Sequence, residues 1–189
     1  PLITAGQTVY IGNSRPKWIG GMGNQFTYKS FSLSFLISAR MGGRISSFTN
    51  ANIEGDGMSA KTLAGRDGFI VDGVKADGSK NTTSITAEQY WSKVGGRNTP
   101  AGEAFTYDAS NIRLRELVLS YSIPQSTISK TPVKGATISF TGRNLFFFRN
   151  SAKGFDPELV VSTASGLIGI ESFCLPFTSS YGLNLNLNF

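Results

Sequence analysis

Residues 180–189 read SYGLNLNLNF, in which Tyr181, Leu183, Leu185, Leu187 and Phe189 alternate with Gly182, Asn184, Asn186 and Asn188. Strict alternation sends the two sets to opposite faces of a β-strand. One face is apolar and the other is neutral and polar. Such a strand has something apolar on one side only.

Four further stretches carry the same period. The first runs near 18–28. The second, near 31–40 (FSLSFLISAR), places Phe31, Leu33, Phe35 and Ile37 on one face against Ser32, Ser34 and Ser38. Only Lys29 and Ser30 separate these two stretches, which predicts a tight hairpin. The third, near 113–123 (RLRELVLSYSI), sets Leu117, Leu119, Tyr121 and Ile123 opposite Val118, Ser120 and Ser122, and Pro124 ends it because proline cannot continue a central ladder. The fourth, near 135–148 (GATISFTGRNLFFF), opposes Ala136, Ile138 and Phe140 to Thr137, Ser139 and Thr141. The fifth is the opening stretch, extended to 178–189.

The spacing between strands is uneven. Tight connections join the first strand to the second and the third to the fourth, whereas residues 41–112 and 149–177 form two long ones. Most connections in compact soluble domains run to roughly 4–6 residues. Short turns at one end and long loops at the other are what an outer-membrane barrel shows, with turns periplasmic and loops extracellular. On that reading Phe26, Tyr28 and Phe31 lie at the periplasmic interface. Phe146, Phe147, Phe148 and Tyr181 lie at the outer one, where aromatic girdles belong. The fold class expected is all-β and antiparallel, and these observations alone leave part of a large transmembrane barrel level with a soluble sheet. A soluble antiparallel sheet with one face on a core gives the same alternation, so a secreted β-rich binding or adhesion module is the alternative.

Composition narrows the function classes. The hydrophobic fraction of the 189 residues is 40% and the mean hydropathy is -0.06, with no apolar run long enough for a spanning helix. The net charge is +6, from 18 Lys and Arg against 12 Asp and Glu. The basic residues are scattered rather than clustered with aromatics, which argues against nucleic acid as a partner. Cys174 is the only cysteine, so no internal disulfide or cysteine metal cage can form. With no histidine, a His-based triad, a His metal site and the usual general base are all missing. The chain opens at Pro1 rather than Met, the expectation for a processed protein or a piece of a larger one.

Several stretches resemble, in order, the C-terminal barrel region of the SusC/RagA family of TonB-dependent outer-membrane transporters. RPKWIGGMGNQFTYKSFSLSFLISARMGG (15–43) is similar to that family's hairpin near the end of the barrel, and YDASNIRLRELVLSYSIP (107–124) to its strand of the form Ala-Ser-Tyr-Val-Arg-Leu-Arg. SFTGRNLFFF (139–148), GFDPE (154–158) and SYGLNLNLNF resemble the next strand, its loop motif and the ending. Asn111 and Ile112 stand where the family commonly has Tyr-Val, and Cys174 is unusual.

The resemblance implies an importer of oligosaccharides or peptides in the outer membrane of a Bacteroidota-type bacterium. A SusD-like surface lipoprotein would cap it, TonB would energise it, and no cofactor is needed. Tyr181, Leu183, Leu185, Leu187, Phe189, Leu117, Leu119, Tyr121, Phe31, Leu33 and Phe35 would then face lipid, with Phe189 and the apolar positions before it read as an assembly signal. Complete barrels of this kind close about 22 strands around a plug. Five strands with no plug domain cannot close, and an open sheet in lipid leaves unpaired backbone groups at several kcal/mol each. The chain is therefore expected to need the rest of its barrel and plug as partners.

The remaining candidates are weak motifs. Asp156 and Glu158 in GFDPE read either as paired carboxylates or calcium ligands, or as an Asp-Pro turn that shapes an extracellular loop. Asp56-Gly57, Asp67-Gly68, Asp72-Gly73 and Asp77-Gly78 read as turns, because their spacing does not fit an EF-hand. GGMG (20–23) lacks the frame of a phosphate loop. Arg113 and Arg115 share a face, either contacting anionic lipopolysaccharide or substrate, or snorkelling at the headgroup level. Tyr90 and Trp91 in TAEQYWSKVGG, a candidate loop helix, read either as a stacking surface for a sugar or partner protein or as loop-core packing. No constellation supports an enzyme.

Overall fold

The computed structural model describes residues 10–97, 101–152, 154–160 and 167–189. Among these the strands are β1 (Trp18–Tyr28), β2 (Phe31–Met41), β3 (Arg44–Ser47), β4 (Phe69–Ile70), β5 (Ser84–Ile85), β6 (Thr106–Asp108), β7 (Asn111–Ile123), β8 (Gly135–Asn150), β9 (Ile170–Glu171) and β10 (Ser180–Asn188). Helices α1 (Phe48–Gly55), α2 (Ala87–Val94) and the short α3 (Gln125–Ile128) join them, with one 3-10 turn at Ala60–Leu63. No described helix is long and apolar enough to cross a membrane, which says nothing of a β-barrel. By its contacts the chain divides into two compact units.

The first unit comprises Arg15–Gly43, Asp108–Glu158 and Leu175–Phe189. It is a five-stranded sheet, order β1-β2-β7-β8-β10, with every neighbouring pair antiparallel. The hairpin between β1 and β2 turns on Lys29 and Ser30. Lys29 takes φ 52, the left-handed conformation that matches a two-residue turn to the strand twist. Pro124 follows β7 and starts the short α3, which returns the chain to β8.

Register sorts the side chains. Phe31, Leu33 and Phe35 sit opposite Tyr121, Leu119 and Leu117. Leu119 and Tyr121 in turn sit opposite Phe140 and Ile138, which sit opposite Leu183 and Leu185. A continuous apolar face results, interrupted in β1 by Asn24 opposite Phe35. On the other face Ser32, Ser120, Ser139 and Asn184 follow one another across four strands. Hydroxyl pairs bridge this face, with Ser120 Oγ 2.9 Å from Ser139 Oγ.

The register of β7 shifts twice, once against β8 between Ile112 and Arg113, where Phe148 is skipped, and once around Arg115. Glu116 pairs with Leu36 and Leu114 with Ile37, so Arg115 is a bulged residue with no partner on β2. On β8 the same slip spans Asn144 and Leu145, and Asn144 takes φ 50. Arg115 and Glu116 therefore both turn to the polar face while Leu114 and Leu117 both stay on the apolar one. β7 also begins at Asn111, two residues before the start that the alternation marks, and β8 runs on to Asn150.

The second unit comprises Arg44–Tyr107 together with two segments, up to Ser14 and Leu159–Cys174, that the sheet unit separates from it in sequence. The stretch that spacing alone marks as one long loop has its own structure, because it has its own apolar residues to bury. Ala51, Val94 and Phe105 form a small core, against which Tyr90, Trp91, Ala101 and Tyr107 pack. Helix α2 starts in a capping box in which Thr86 Oγ1 accepts from Gln89 N and Gln89 Oε1 accepts from Thr86 N. It meets α1 at glycines. A Cβ on Gly95 would lie 2.5 Å from the Ala51 carbonyl oxygen. Strand β3 runs parallel to β9, where the buried Glu171 accepts from Ser47 Oγ and Thr49 Oγ1, each at 2.6 Å.

Candidate functional site

Within the sheet unit, Arg113 is buried, its side chain only 4% exposed. Its Nη1 donates to Asp156 Oδ2 at 2.9 Å and lies 3.8 Å from Glu158 Oε2. The guanidinium lies 4.6 Å from the Phe147 ring centre and 5.6 Å from that of Phe177, both within cation–π reach. Arg115 uses Nη2 on Glu158 Oε1 and Oε2, at 2.6 and 2.5 Å, and Nε on Ser38 Oγ at 2.7 Å. Asp156 also accepts the Glu158 backbone N–H through Oδ1, which shapes the GFDPE turn. The motif shapes its loop, and each of its two carboxylates is engaged with an arginine rather than with the other carboxylate. Arg113 is buried in a neutralising cluster of two carboxylates and two aromatic rings. This arrangement holds a loop to a strand. It has no acid–base pair poised for chemistry.

In the second unit, Tyr90 and Trp91 follow one another on α2, their rings 5.0 Å apart and edge-on, with Phe69 5.5 Å from Tyr90. Both are half-buried against the Ala51, Val94 and Phe105 core, so they do pack the loop. Trp91 nevertheless has surface to spare. It lines one cavity of about 650 Å³ together with Asp56, Thr62, Arg66, Glu88 and Ser92. It also lines a second of about 520 Å³ with Lys61, Phe69, Ile70, Asp72 and Tyr90. Lys61 Nζ donates to the buried Glu54 Oε1 at 2.5 Å, and that hydrogen bond is the main reason its ammonium titrates above its ordinary 10.5.

The apolar positions read as lipid-facing are exposed along the sheet. Leu183 is 81% exposed, and Phe31, Leu33, Leu119, Tyr181, Leu185, Leu187 and Phe189 are also open, whereas Phe35, Leu117 and Tyr121 are half-buried by neighbours on the same face. Each of the four Asp-Gly pairs places its glycine at positive φ, the geometry of a turn.

No family model matches the chain. Among curated proteins it is 26% identical over 184 residues to TonB-dependent receptor P3 of Formosa agariphila, covering 95% of this chain and 17% of that protein. To TonB-dependent receptor P26 of the same organism it is 27% identical over 191 residues, covering 97% and 18%. Solved structures of the RagAB peptide importer in its open-open and closed-closed states share the fold, with TM-scores of 0.63 and 0.64 at 19% identity, each match covering 94% of this chain and 18% of that one. The chain is similar in sequence to TonB-dependent receptors and in fold to the RagAB importer.

The chain spans less than a fifth of the length of the relatives it matches. Those relatives carry the names of receptors and a transporter rather than enzymes. Sequence reasoning singled out Arg113, Arg115, Asp156 and Glu158 separately but did not join them, because the ion pair closes across 43 residues. One local sign was present: Arg115-Glu116 puts two charged residues side by side where the alternation allows one. Asp56, Arg66 and Glu88 were not marked as neighbours of Trp91; Glu88 stands three residues before it on α2, a spacing that could have paired them, whereas nothing local announces Asp56 or Arg66.

Proposed function

We propose that this segment is part of the wall of an outer-membrane TonB-dependent importer of oligosaccharides or peptides. Its apolar face meets lipid, and its Ser, Thr and Asn face lines a wet lumen. The free edges of β1 and β10 pair with the remaining strands of the barrel. The 44–107 unit stands on the extracellular side, where a SusD-like lipoprotein caps the transporter.

The observation that carries this reading is the exposed apolar face. Burying one large apolar side chain stabilises by about 1.5–3 kcal/mol. Leaving a row of them in water forgoes that gain and presents one contiguous apolar face, a penalty that soluble monomers avoid. Lipid removes that penalty on one face while water solvates the other. The outer strands, which have no second partner among the described residues, need pairing because unpaired backbone groups in lipid cost several kcal/mol each. Likeness to TonB-dependent receptors and to the RagAB importer supports the same reading.

Cysteine accessibility tests it. In a Cys174→Ser background of the intact receptor in outer membranes, Asn186→Cys should react with a water-soluble maleimide and Leu185→Cys should not. Equal reaction at both positions, in protein that stays folded without detergent, would overturn the barrel assignment in favour of a soluble module.

A further inference from the structure

We propose that the cavity beside Trp91 is a binding subsite for a neutral, hydroxyl-rich sugar ring. The inference rests on the importer reading for what brings a ligand to this unit, and it names the class of that ligand.

The cavity is made by the end of α1 and the turn after it (Asp56), the turn at Thr62 to Arg66, and the first turns of α2 (Glu88, Trp91, Ser92). Its volume, about 650 Å³, lies in the range of small-molecule sites. These elements are held independently of any ligand. Thr62 Oγ1 sits within donating reach of both the Ser59 carbonyl (2.7 Å) and the Gly57 carbonyl (3.0 Å), and the capping box at Thr86 fixes the start of α2. A site built on held elements keeps its polar groups in place.

The lining has the chemistry a sugar requires. An aromatic ring supplies a flat apolar surface for the C–H face of a pyranose, and fixed polar groups supply orientation. Here two carboxylates, Asp56 and Glu88, and one guanidinium, Arg66, line the same cavity. Within the described residues none of the three side chains is engaged in a hydrogen bond or ion pair. Carboxylates accept from paired hydroxyls, and the guanidinium donates to ring and hydroxyl oxygens. The mixture of signs disfavours a strongly charged ligand: an anion would face both carboxylates, and a cation would face Arg66. A peptide held as an added strand would need an open strand edge, and no strand residue lines this cavity. Trp91 also lines the neighbouring cavity of about 520 Å³, where Lys61, Asp72 and Tyr90 repeat the combination of aromatic and polar groups. Two such cavities sharing one indole suit successive rings of an oligosaccharide.

The test uses the intact receptor in detergent, applied to an array of neutral and charged glycans and titrated in parallel with a tryptic peptide digest. At least one neutral glycan should bind, and the double variant Asp56→Asn/Glu88→Gln should weaken it by about tenfold or more. Trp91→Phe, which keeps an aromatic ring against the core, should weaken it less than Trp91→Ala. Because Trp91→Ala removes packing as well, the exposed Asp56 and Glu88 carry the decision. No binding by any neutral glycan, binding indifferent to Asp56→Asn/Glu88→Gln, or peptide binding lost in that variant would overturn the sugar assignment. Each of those results, obtained on receptor that inserts normally into outer membranes, leaves the importer reading standing. Failure to insert would count against that reading instead.

Discussion

Arg113 and Asp156, 43 positions apart, meet through a 2.9 Å hydrogen-bonded ion pair with both side chains about 5% exposed or less. A buried charge tolerates the loss of its partner poorly, because its own desolvation is then uncompensated. Removing one member of such a pair typically destabilises by about 3–5 kcal/mol, whereas replacing both with apolar groups is far milder. Asp156→Ala should therefore lower the unfolding midpoint of the receptor strongly, and Arg113→Met/Asp156→Leu should recover most of the loss. Denaturant titration of the detergent-solubilised protein measures both.

The pair formed by Glu116 and Arg143 makes the contrast. It spans 2.9 Å like the first, but its side chains are 37% and 64% exposed. Water and salt screen it, and exposed pairs contribute about 0–1 kcal/mol. Glu116→Gln should leave the same midpoint nearly unchanged while Glu158→Gln shifts it clearly, since Glu158 engages Arg115 and is only 5% exposed.

Depth in the bilayer should separate neighbours in one strand. Leu119 lies on the apolar face between Leu33 and Phe140, and Ser120 lies on the polar face between Ser32 and Ser139. Leu119→Arg should destabilise by about 2–4 kcal/mol if it sits near the midplane. Ser120→Arg should be far milder. The heat-modifiable fraction on gels reads the difference, and equal effects would contradict the assignment of faces.

Gly95 has an ordinary φ of -102, so its role is room rather than conformation. A methyl group there would meet the Ala51 carbonyl, and overpacking of this kind costs about 1–3 kcal/mol. Gly95→Ala should speed proteolytic cleavage within residues 44–107 without altering assembly of the sheet.

Lys61 predicts an alkaline weakness in the same unit. Its folded-state value lies above 10.5, chiefly through the hydrogen bond to Glu54, so the stabilisation is complete below about pH 10.5 and is lost as pH rises through the folded value. Hydrogen exchange around α1 and the 3-10 turn should quicken above pH 10.5 in the native protein. Glu54→Gln should already exchange faster at neutral pH and lose much of that extra alkaline acceleration. High salt should shrink the effect, since Lys61 is 62% exposed.

Much of the sheet was legible because its rule is local. A strand repeats every two residues, so FSLSFLISAR and SYGLNLNLNF declare their faces without reference to anything else in the chain. Pro124 marks the end of β7 by the same kind of local chemistry. The bulge at Arg115 was half legible: two adjacent charges break the alternation, but whether the chain absorbs them by a bulge or by burying one depends on the strands alongside. The 44–107 unit was least legible. Its core joins Ala51, Val94 and Phe105 from three places; α2 stands out as a candidate loop helix in TAEQYWSKVGG, but α1 does not.

The sequence by itself determined which side chains share a face, where the first hairpin turns, and that one face of the sheet is apolar. These follow from backbone geometry within a few residues. Only the tertiary structure decided that Arg113 finds Asp156, that Arg115 and Glu116 point the same way, and that Asp56 and Arg66 join Glu88 beside Trp91. Those contacts join residues far apart in the chain or set by neighbouring strands, and local periodicity carries no information about which distant partner satisfies a buried charge or walls a cavity.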